Sequence, residues 1–259
     1  MSKKRYNGKL LSTGEIVSSV ITMILLTIIY AVIFDMKMDK EYVVYCYNDV
    51  YCYAQCEGVI PLLMVSELYI IFNLKYEWRT NVLIREKSMR SFWIRIVKKI
   101  AVLSAAVTLY SFLVCSVYAG VTCVYGCNWL DKNSNAFDIF RRNMTVTIDT
   151  WIIQVIFLLV IFAEVSVMGM LIVISWWWLR QPVYGYGAVI AFANLETGRF
   201  FSNISIFFMR MTMANSYIYL KGYNVIDHIL FPILMVVGTW VSGIVLFRKR
   251  DMLRKDSDV

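Results

Sequence analysis

The chain has 259 residues, of which 59% are hydrophobic and 17% charged, and its mean hydropathy is +0.62. This composition excludes a soluble globular domain and is typical of a multi-pass membrane protein. The net charge of +8 does not indicate nucleic-acid binding, because the basic residues are confined to a few polar segments between apolar runs, which is a signature of membrane topology.

Six apolar runs follow in chain order. A helix needs about 20 mainly apolar residues to cross the hydrocarbon of a bilayer. Five runs meet this requirement, whereas the run that begins at 183 is interrupted after 13 residues by Glu196 and then by Arg199. We predict an all-α integral membrane protein, a single transmembrane domain over residues 1–259, whose fifth span is short or broken. The predicted spans are 16–34, 59–74, 100–125, 151–177, 183–205 and 229–247.

The basic residues indicate how these spans are oriented. Residues 75–99, between spans two and three, hold eight Lys and Arg against two Glu. An excess of Lys and Arg in a loop of this length marks the cytoplasmic side of a membrane. With six crossings, 18 of the 26 basic residues lie on that side. We therefore predict six transmembrane helices with both termini in the cytoplasm.

The same basic segment mixes charged and apolar side chains. Glu77, Arg79 and Thr80 precede the apolar run 82–84, and Arg85 follows it. This composition predicts a short amphipathic helix between spans two and three that lies on the inner membrane surface and faces a cytoplasmic partner.

Acidic residues occur inside two predicted spans, Glu67 in span two and Glu164 in span four. A charge at the bilayer centre costs about 3 kcal/mol, so such residues usually face a cavity or a partner. The two glutamates either line a translocation path or hold two helices together through a protonated or hydrogen-bonded carboxyl group. Glu196 and Arg199, spaced i and i+3, either belong to the same path or form a structural ion pair.

Small residues recur in the last span. Gly238 with Ser242, and Thr239 with Gly243, are pairs four residues apart. This spacing allows a neighbouring helix to approach closely. We expect helix packing at this position.

Five of the six cysteines fall in or near predicted outer segments. Outside a cell, clustered cysteines indicate disulfides that join loops, with thiols or a metal site as the alternatives. Because five is an odd number, one cysteine has no partner within this set. The candidates are Cys46, Cys52, Cys56, Cys123 and Cys127.

Several catalytic and cofactor motifs are missing from the sequence. It has no G-x-x-x-x-G-K-[ST] phosphate-binding loop, and His228 is its only histidine. A two-histidine zinc site is therefore excluded, and a Ser-His nucleophile is hard to assemble. We predict that the chain is not an enzyme and has no catalytic residues, metal site or cofactor of its own.

Three segments resemble the membrane subunits of type-2 ATP-binding-cassette (ABC) exporters. They are EWRTNVLIR at 77–85, SMR at 88–90 followed by Lys98, and FRKRD at 247–251. In that family an acidic residue and an Arg-Thr or Gly-Thr step after span two open the coupling helix that docks on the ATPase. The resemblance implies that Glu77, Arg79, Thr80 and Arg85 contact cytoplasmic ABC ATPase subunits, which carry the ATP and Mg²⁺.

The resemblance also implies a function and a location. We expect a permease in the plasma membrane of a bacterium, paired with a second copy or a similar permease, that exports an amphipathic substrate such as an antimicrobial peptide or a hydrophobic drug. The long outer loop at 35–57 departs from the compact pattern of the family. The alternative is a non-transporting immunity or sensor protein that binds a ligand through this Tyr- and Cys-rich loop.

Overall fold

The computed structural model describes residues 13–38, 43–75, 77, 88–135, 148–179, 181–197 and 225–249. These residues form seven α-helices, and their only β contacts are two isolated bridges. The helices are α1 (Thr13–Lys37), α2 (Tyr47–Cys56), α3 (Val59–Leu74), α4 (Met89–Thr122), α5 (Thr150–Leu179), α6 (Pro182–Thr197) and α7 (Val225–Lys249).

Within the described part of the chain, four helices are long and apolar enough to cross a membrane: α1, α4, α5 and α7. The α2–α3 pair is a fifth candidate, bent by 65° at its break. The prediction of an all-helical, multi-pass membrane protein is therefore confirmed. The short fifth span has a counterpart in α6, which has 16 residues, and the rest of 183–205 lies outside the described residues.

The start of α4 differs from the prediction. This helix begins at Met89, well before the predicted start at 100, so the second part of the basic segment 75–99 is helical and not a loop. Ser88 explains the early start, because its Oγ accepts a hydrogen bond from the Ser91 N–H at 3.1 Å and caps the helix. The predicted amphipathic helix at 77–84 lies outside the described residues except for Glu77.

The interpretation of 35–57 as a loop was wrong for its second half, which forms the buried helix α2. Asp49 closes the start of α2: its Oδ2 accepts a hydrogen bond from the Cys46 N–H at 3.0 Å, and its Oδ1 accepts one from the Trp129 indole N–H at 3.0 Å. Gly58 permits the bend into α3, because a Cβ there would overlap the Ala54 carbonyl. The buried residues of α2 are Asn48, Asp49, Val50, Tyr51, Cys52, Ala54 and Gln55.

Pairwise contacts define two ends of the bundle. We call the end that holds Glu15, Glu77 and Lys99 the basic end, and the end that holds α2 and residues 123–135 the cap end. Helices α1 and α4 run parallel from the basic end to the cap end, because their contacts follow in the same order. These contacts are Glu15 to Lys99 at 3.6 Å, Thr27 to Tyr110 at 2.7 Å, and the rings of Phe34 and Tyr118 at 4.3 Å.

Aromatic side chains join three helices at the basic end. The Phe247 ring of α7 lies 4.9 Å from Trp93 of α4 and 4.7 Å from Trp177 of α5, measured between centroids. The Trp93 indole N–H donates a hydrogen bond to the Trp240 carbonyl at 3.0 Å. Gly243 lies directly against the Trp93 ring, which confirms the close approach predicted at this residue. The prediction was wrong for Gly238, because no atom among the described residues lies within 4 Å of its Cβ position.

Replacing Gly243 by Ala is expected to lower the thermal stability of the purified protein. The added methyl group would overlap the Trp93 indole, and overpacking of this kind costs about 1–3 kcal/mol. Gly238→Ala is the matched control on the same helix, because no atom lies within 4 Å of its Cβ position. Thermal unfolding in detergent compares the two variants, and equal melting temperatures would contradict the packing described here.

Candidate functional site

Two buried acids mark the interior of the bundle. Glu67 of α3 and Glu164 of α5 both have 0% exposure. Both therefore face protein and not lipid. Helix α5 is the most enclosed candidate span in the described part of the chain. Of an 18-residue apolar stretch in each helix, 72% is buried in α5, against 17% in α1 and 11% in α7.

Glu67 lies where four helices, α3, α4, α5 and α6, meet. A Cβ placed on Gly169 of α5 would lie 3.5 Å from Glu67 Oε2 and 3.1 Å from the Ile100 Cγ2 of α4, so the absence of a side chain at Gly169 leaves room for the carboxyl group. Helix α6 brings Tyr186 close to Glu67, and the Tyr186 hydroxyl donates a hydrogen bond to the Met64 carbonyl at 3.1 Å.

The Glu67 carboxyl group has no hydrogen-bond partner for either oxygen among the described residues. A buried polar group without a partner carries its full desolvation penalty. An ionised carboxylate at membrane depth would cost more still. An uncharged carboxyl group therefore costs less at this position than a carboxylate does.

Glu164 belongs to a neighbouring polar group. It lies near Tyr30 of α1, and the same tyrosine lies next to Ser111 and Cys115 of α4. On α5, Glu164 is five residues before Gly169, which is about 7.5 Å along the helix axis. Glu67 and Glu164 therefore lie at two different depths along the axis of the bundle. We call Glu67, Glu164, Tyr30, Ser111 and Tyr186 the interior cluster.

The other two residues predicted for a translocation path stay untested. Glu196 is part of α6, but the structure describes only its backbone, and Arg199 lies outside the described residues.

An ion-pair network joins three helices at the basic end. Lys99 Nζ of α4 lies 3.6 Å from Glu15 Oε1 of α1 and 3.4 Å from Glu77 Oε1, just after α3. It also donates a hydrogen bond to the Asn73 carbonyl of α3 at 2.9 Å. Arg95 Nη2 lies 3.2 Å from Glu77 Oε2. Because one ammonium group lies between two carboxylates, we call this the Lys99 network.

Glu77 is therefore the one predicted coupling residue that the structure describes, and its carboxylate contacts Lys99 and Arg95 of the same chain. Arg79, Thr80 and Arg85 lie outside the described residues. The prediction that these residues contact an ATPase stays a prediction.

All six cysteines are thiols in the structure. Of the five disulfide candidates, Cys46 and Cys127 have side chains in mutual contact. Cys52 and Cys56 lie four residues apart on α2, where Cβ atoms are about 5–6 Å apart, farther than the 3.5–4.5 Å of a disulfide. Cys123 Sγ lies 3.6 Å from the Thr122 hydroxyl. Within the described residues, no group of three or more His, Cys, Asp or Glu could hold a metal ion.

An apolar groove of about 430 Å³ lies between α1 and α3. Few polar atoms line the groove, and its walls are formed mainly by aliphatic and aromatic side chains. It is lined by Val17, Ile21, Leu25, Leu68 and Phe72, among others. The sequence pattern did not predict this groove, because the same side chains would be expected on any lipid-facing helix.

Comparison with known proteins gives no match to a family model, a curated sequence or a solved structure. Among the described residues, three features bear on function: the interior cluster, the Lys99 network and the apolar groove.

Replacing Glu67 by Leu is expected to raise the free energy of unfolding by about 1–3 kcal/mol, because the penalty for a buried carboxyl without a partner disappears. Glu67→Gln keeps a polar group of the same size and should change the stability less. Thermal unfolding in detergent measures both variants. A lower melting temperature for Glu67→Leu would mean that the carboxyl group is held by stabilising contacts.

Proposed function

We propose that this chain is the permease subunit of a type-2 ABC exporter. It would work with a second copy or a similar permease and with separate cytoplasmic ATPase subunits that bind ATP and Mg²⁺. Its substrate would be amphipathic, such as an antimicrobial peptide or a hydrophobic drug. The observation that carries the proposal is the Lys99 network, because it connects the predicted coupling segment to three helices.

The network offers a physical route for coupling. In the sequence, residues 78–87 are flanked by Glu77, which contacts Lys99 of α4, and by Ser88, which caps α4. Through Lys99, a displacement of Glu77 would act on Glu15 of α1 and on the Asn73 carbonyl of α3 as well as on α4. An ATPase that pushes on residues 78–87 would therefore move three helices together. In this scheme Glu77 transmits the force, and Arg79, Thr80 and Arg85 contact the ATPase.

Helix directions support six crossings with both termini cytoplasmic. Helices α5 and α7 both end at the basic end, since Trp177 and Phe247 are in contact there. The chain must therefore return to the cap end between them, and α6 begins that return. Helix α1 begins, and α7 ends, at the end of the bundle that carries the basic segment, which the positive-inside rule assigns to the cytoplasm.

The apolar groove and the interior cluster together support a path for an amphipathic molecule. The apolar groove lies on one face of α3, lined by Val65, Leu68 and Phe72, and Glu67 lies on the other face beside Gly169. An apolar face of a substrate would enter the groove, and a cationic group would pair with the Glu67 carboxylate. Helix α3 separates the apolar groove from Glu67. Transfer of the substrate from the groove to Glu67 therefore requires α3 to move, and the Lys99 network would drive that motion.

The alternative of a ligand-binding immunity or sensor protein has less support. That function requires the Tyr- and Cys-rich residues at 35–57 to be accessible. Tyr51, Cys52 and Asp49 are instead buried in α2, and the Tyr51 hydroxyl is hydrogen-bonded to Ser116 at 2.8 Å.

The coupling assignment predicts different outcomes for two sets of variants. Arg79→Ala with Arg85→Ala should remove charge-assisted contacts to the ATPase, so that the ATPase is lost when the permease is purified from its native membrane. Glu77→Ala should keep the ATPase bound but lower transport, because its carboxylate binds Lys99 and Arg95 of the same chain. Co-purified ATPase activity and uptake of a fluorescent cationic amphipathic peptide into inside-out vesicles measure the two effects.

The matched control is Lys75→Ala with Lys132→Ala, which removes the same charge from exposed positions outside the segments that resemble the exporter family. This control should keep both the ATPase and transport. If the Arg79 and Arg85 double variant also keeps both, the coupling-helix assignment is wrong, and most of the support for an exporter is lost with it.

Orientation is tested by cysteine labelling of intact cells with a membrane-impermeant maleimide. A thiol introduced at Glu57, which is half-exposed at the cap end, should react from outside. Thiols introduced at Arg85 or Arg250 should react only after the membrane is permeabilised. The wild-type protein gives the background from the six native cysteines. External labelling at 85 or 250 would overturn the six-span topology.

A further inference from the structure

We propose that Cys46 and Cys127 form a disulfide that joins the start of α2 to the segment between α4 and α5. This disulfide would lie at the cap end, and its formation does not depend on the transport function. Cys46 and Cys127 are one of the pairs that the five candidate cysteines of the sequence allow.

Backbone hydrogen bonds join the start of α2 to the two residues that precede Cys127. Cys46 forms an isolated parallel bridge with Tyr125. The Tyr47 N–H donates to the Tyr125 carbonyl at 3.0 Å, and the Asn48 N–H donates to the Gly126 carbonyl at 3.3 Å. The approach of the thiols is therefore set by the main chain on both sides and not by side-chain rotamers alone.

The surroundings of the two sulfur atoms differ in a way that suits thiol–disulfide exchange. Cys46 is fully buried, whereas Cys127 is partly exposed. A hydrogen bond from the Cys46 thiol lowers the pKa of Cys127, and the N–H groups of Trp129 and Ile148 act in the same direction. The pKa of Cys46 is raised by the same contact and by burial. Cys127 is thus the accessible, more nucleophilic thiol of the pair.

The pairing also follows from the positions of the other cysteines. Helix geometry separates Cys52 and Cys56 beyond the Cβ distance of a disulfide. Cys115 is buried within α4, and the Cys123 sulfur contacts Thr122. Cys46 and Cys127 are the pair that lies in contact outside the helices.

Formation of the bond requires an oxidant, which we assign to the disulfide class: oxidised glutathione in a test tube, or a thiol–disulfide oxidoreductase at the cell surface. The Cys127 thiolate attacks one sulfur of the oxidant, forms a mixed disulfide and releases one thiolate, which takes a proton from water. Cys46 then attacks the Cys127 sulfur and releases the second thiolate, to which the Cys46 proton passes. Two protein thiols are oxidised, and one external disulfide is reduced to two thiols.

The bond would link parts of the chain separated by the whole of α2, α3 and α4. Closing a long loop stabilises the folded state mainly by restricting the unfolded chain. It would also fix the position of α2, whose first turn already contacts the α4–α5 segment through Asp49 and Trp129.

The test uses the full-length protein in detergent, reduced and then incubated with oxidised glutathione. Remaining thiols are blocked with N-ethylmaleimide, and peptides are mapped by mass spectrometry without reduction. We expect a linked peptide that joins Cys46 to Cys127, the loss of two alkylated thiols, and a melting temperature several degrees above that of the reduced protein. Alkylation of both cysteines after oxidation, or a bridge from either one to another cysteine, would overturn the proposal.

Variants separate the disulfide from other effects of oxidation. Cys127→Ser should remove the rise in melting temperature, whereas Cys123→Ser, in the same segment, should retain it. Because Cys127 is partly exposed, its replacement should cost less stability than replacement of the fully buried Cys46. A rise in melting temperature that persists in Cys127→Ser contradicts the assignment. The wild-type peptide map decides the question by itself if a variant does not fold.

Discussion

At the basic end of the bundle, the junction of α1, α3 and α4 depends on the single ammonium group of Lys99. Glu15 and Glu77 come from segments that are far apart in the sequence, and they lie within 3.6 and 3.4 Å of the same nitrogen. Without that nitrogen, the carboxylate of Glu15 at the start of α1 and that of Glu77 just after α3 would lie near each other without a cation between them. An isolated surface ion pair contributes about 0–1 kcal/mol, but a network that also binds a backbone carbonyl fixes the relative positions of its helices.

At the cap end, neutral hydrogen bonds and one buried acid join the start of α2 to the segment between α4 and α5. Asp49 accepts hydrogen bonds from the Cys46 N–H and from Trp129, and the Asn48 side-chain amide donates to the Ile148 carbonyl at 2.9 Å. These contacts cover the end of the bundle with α2. The interior cluster therefore lies between two ends held by different chemistry. A charged network weakens in salt and responds to a charged partner, whereas a packed cap does not.

Local signals allowed much of the fold to be predicted, and tertiary contacts account for the rest. Helix α3 matches the predicted span because polar residues bound its apolar run on both sides. Helix α2 was missed because its burial depends on α4 and α5, and its own sequence is rich in polar and aromatic residues. The buried acids Glu67 and Glu164 were recognisable because a charge inside an apolar run is rare. Tyr30, Ser111 and Tyr186 carry no such signal, since they belong to the interior cluster only through their neighbours.

Helix α4 connects both ends with the interior. Lys99 lies near its start, and Ile100 contacts the Gly169 position beside Glu67 one residue later. Further along, Ser111 faces Tyr30, and Ser116 is hydrogen-bonded to Tyr51 of α2. Because a helix transmits displacement along its axis far better than a loop does, a movement imposed at the Lys99 network would reach the interior cluster before it reached the cap. A fixed cap would then turn that movement into a rotation of α4 about its cap end, which changes the space around Glu67 most and the packing of α2 least.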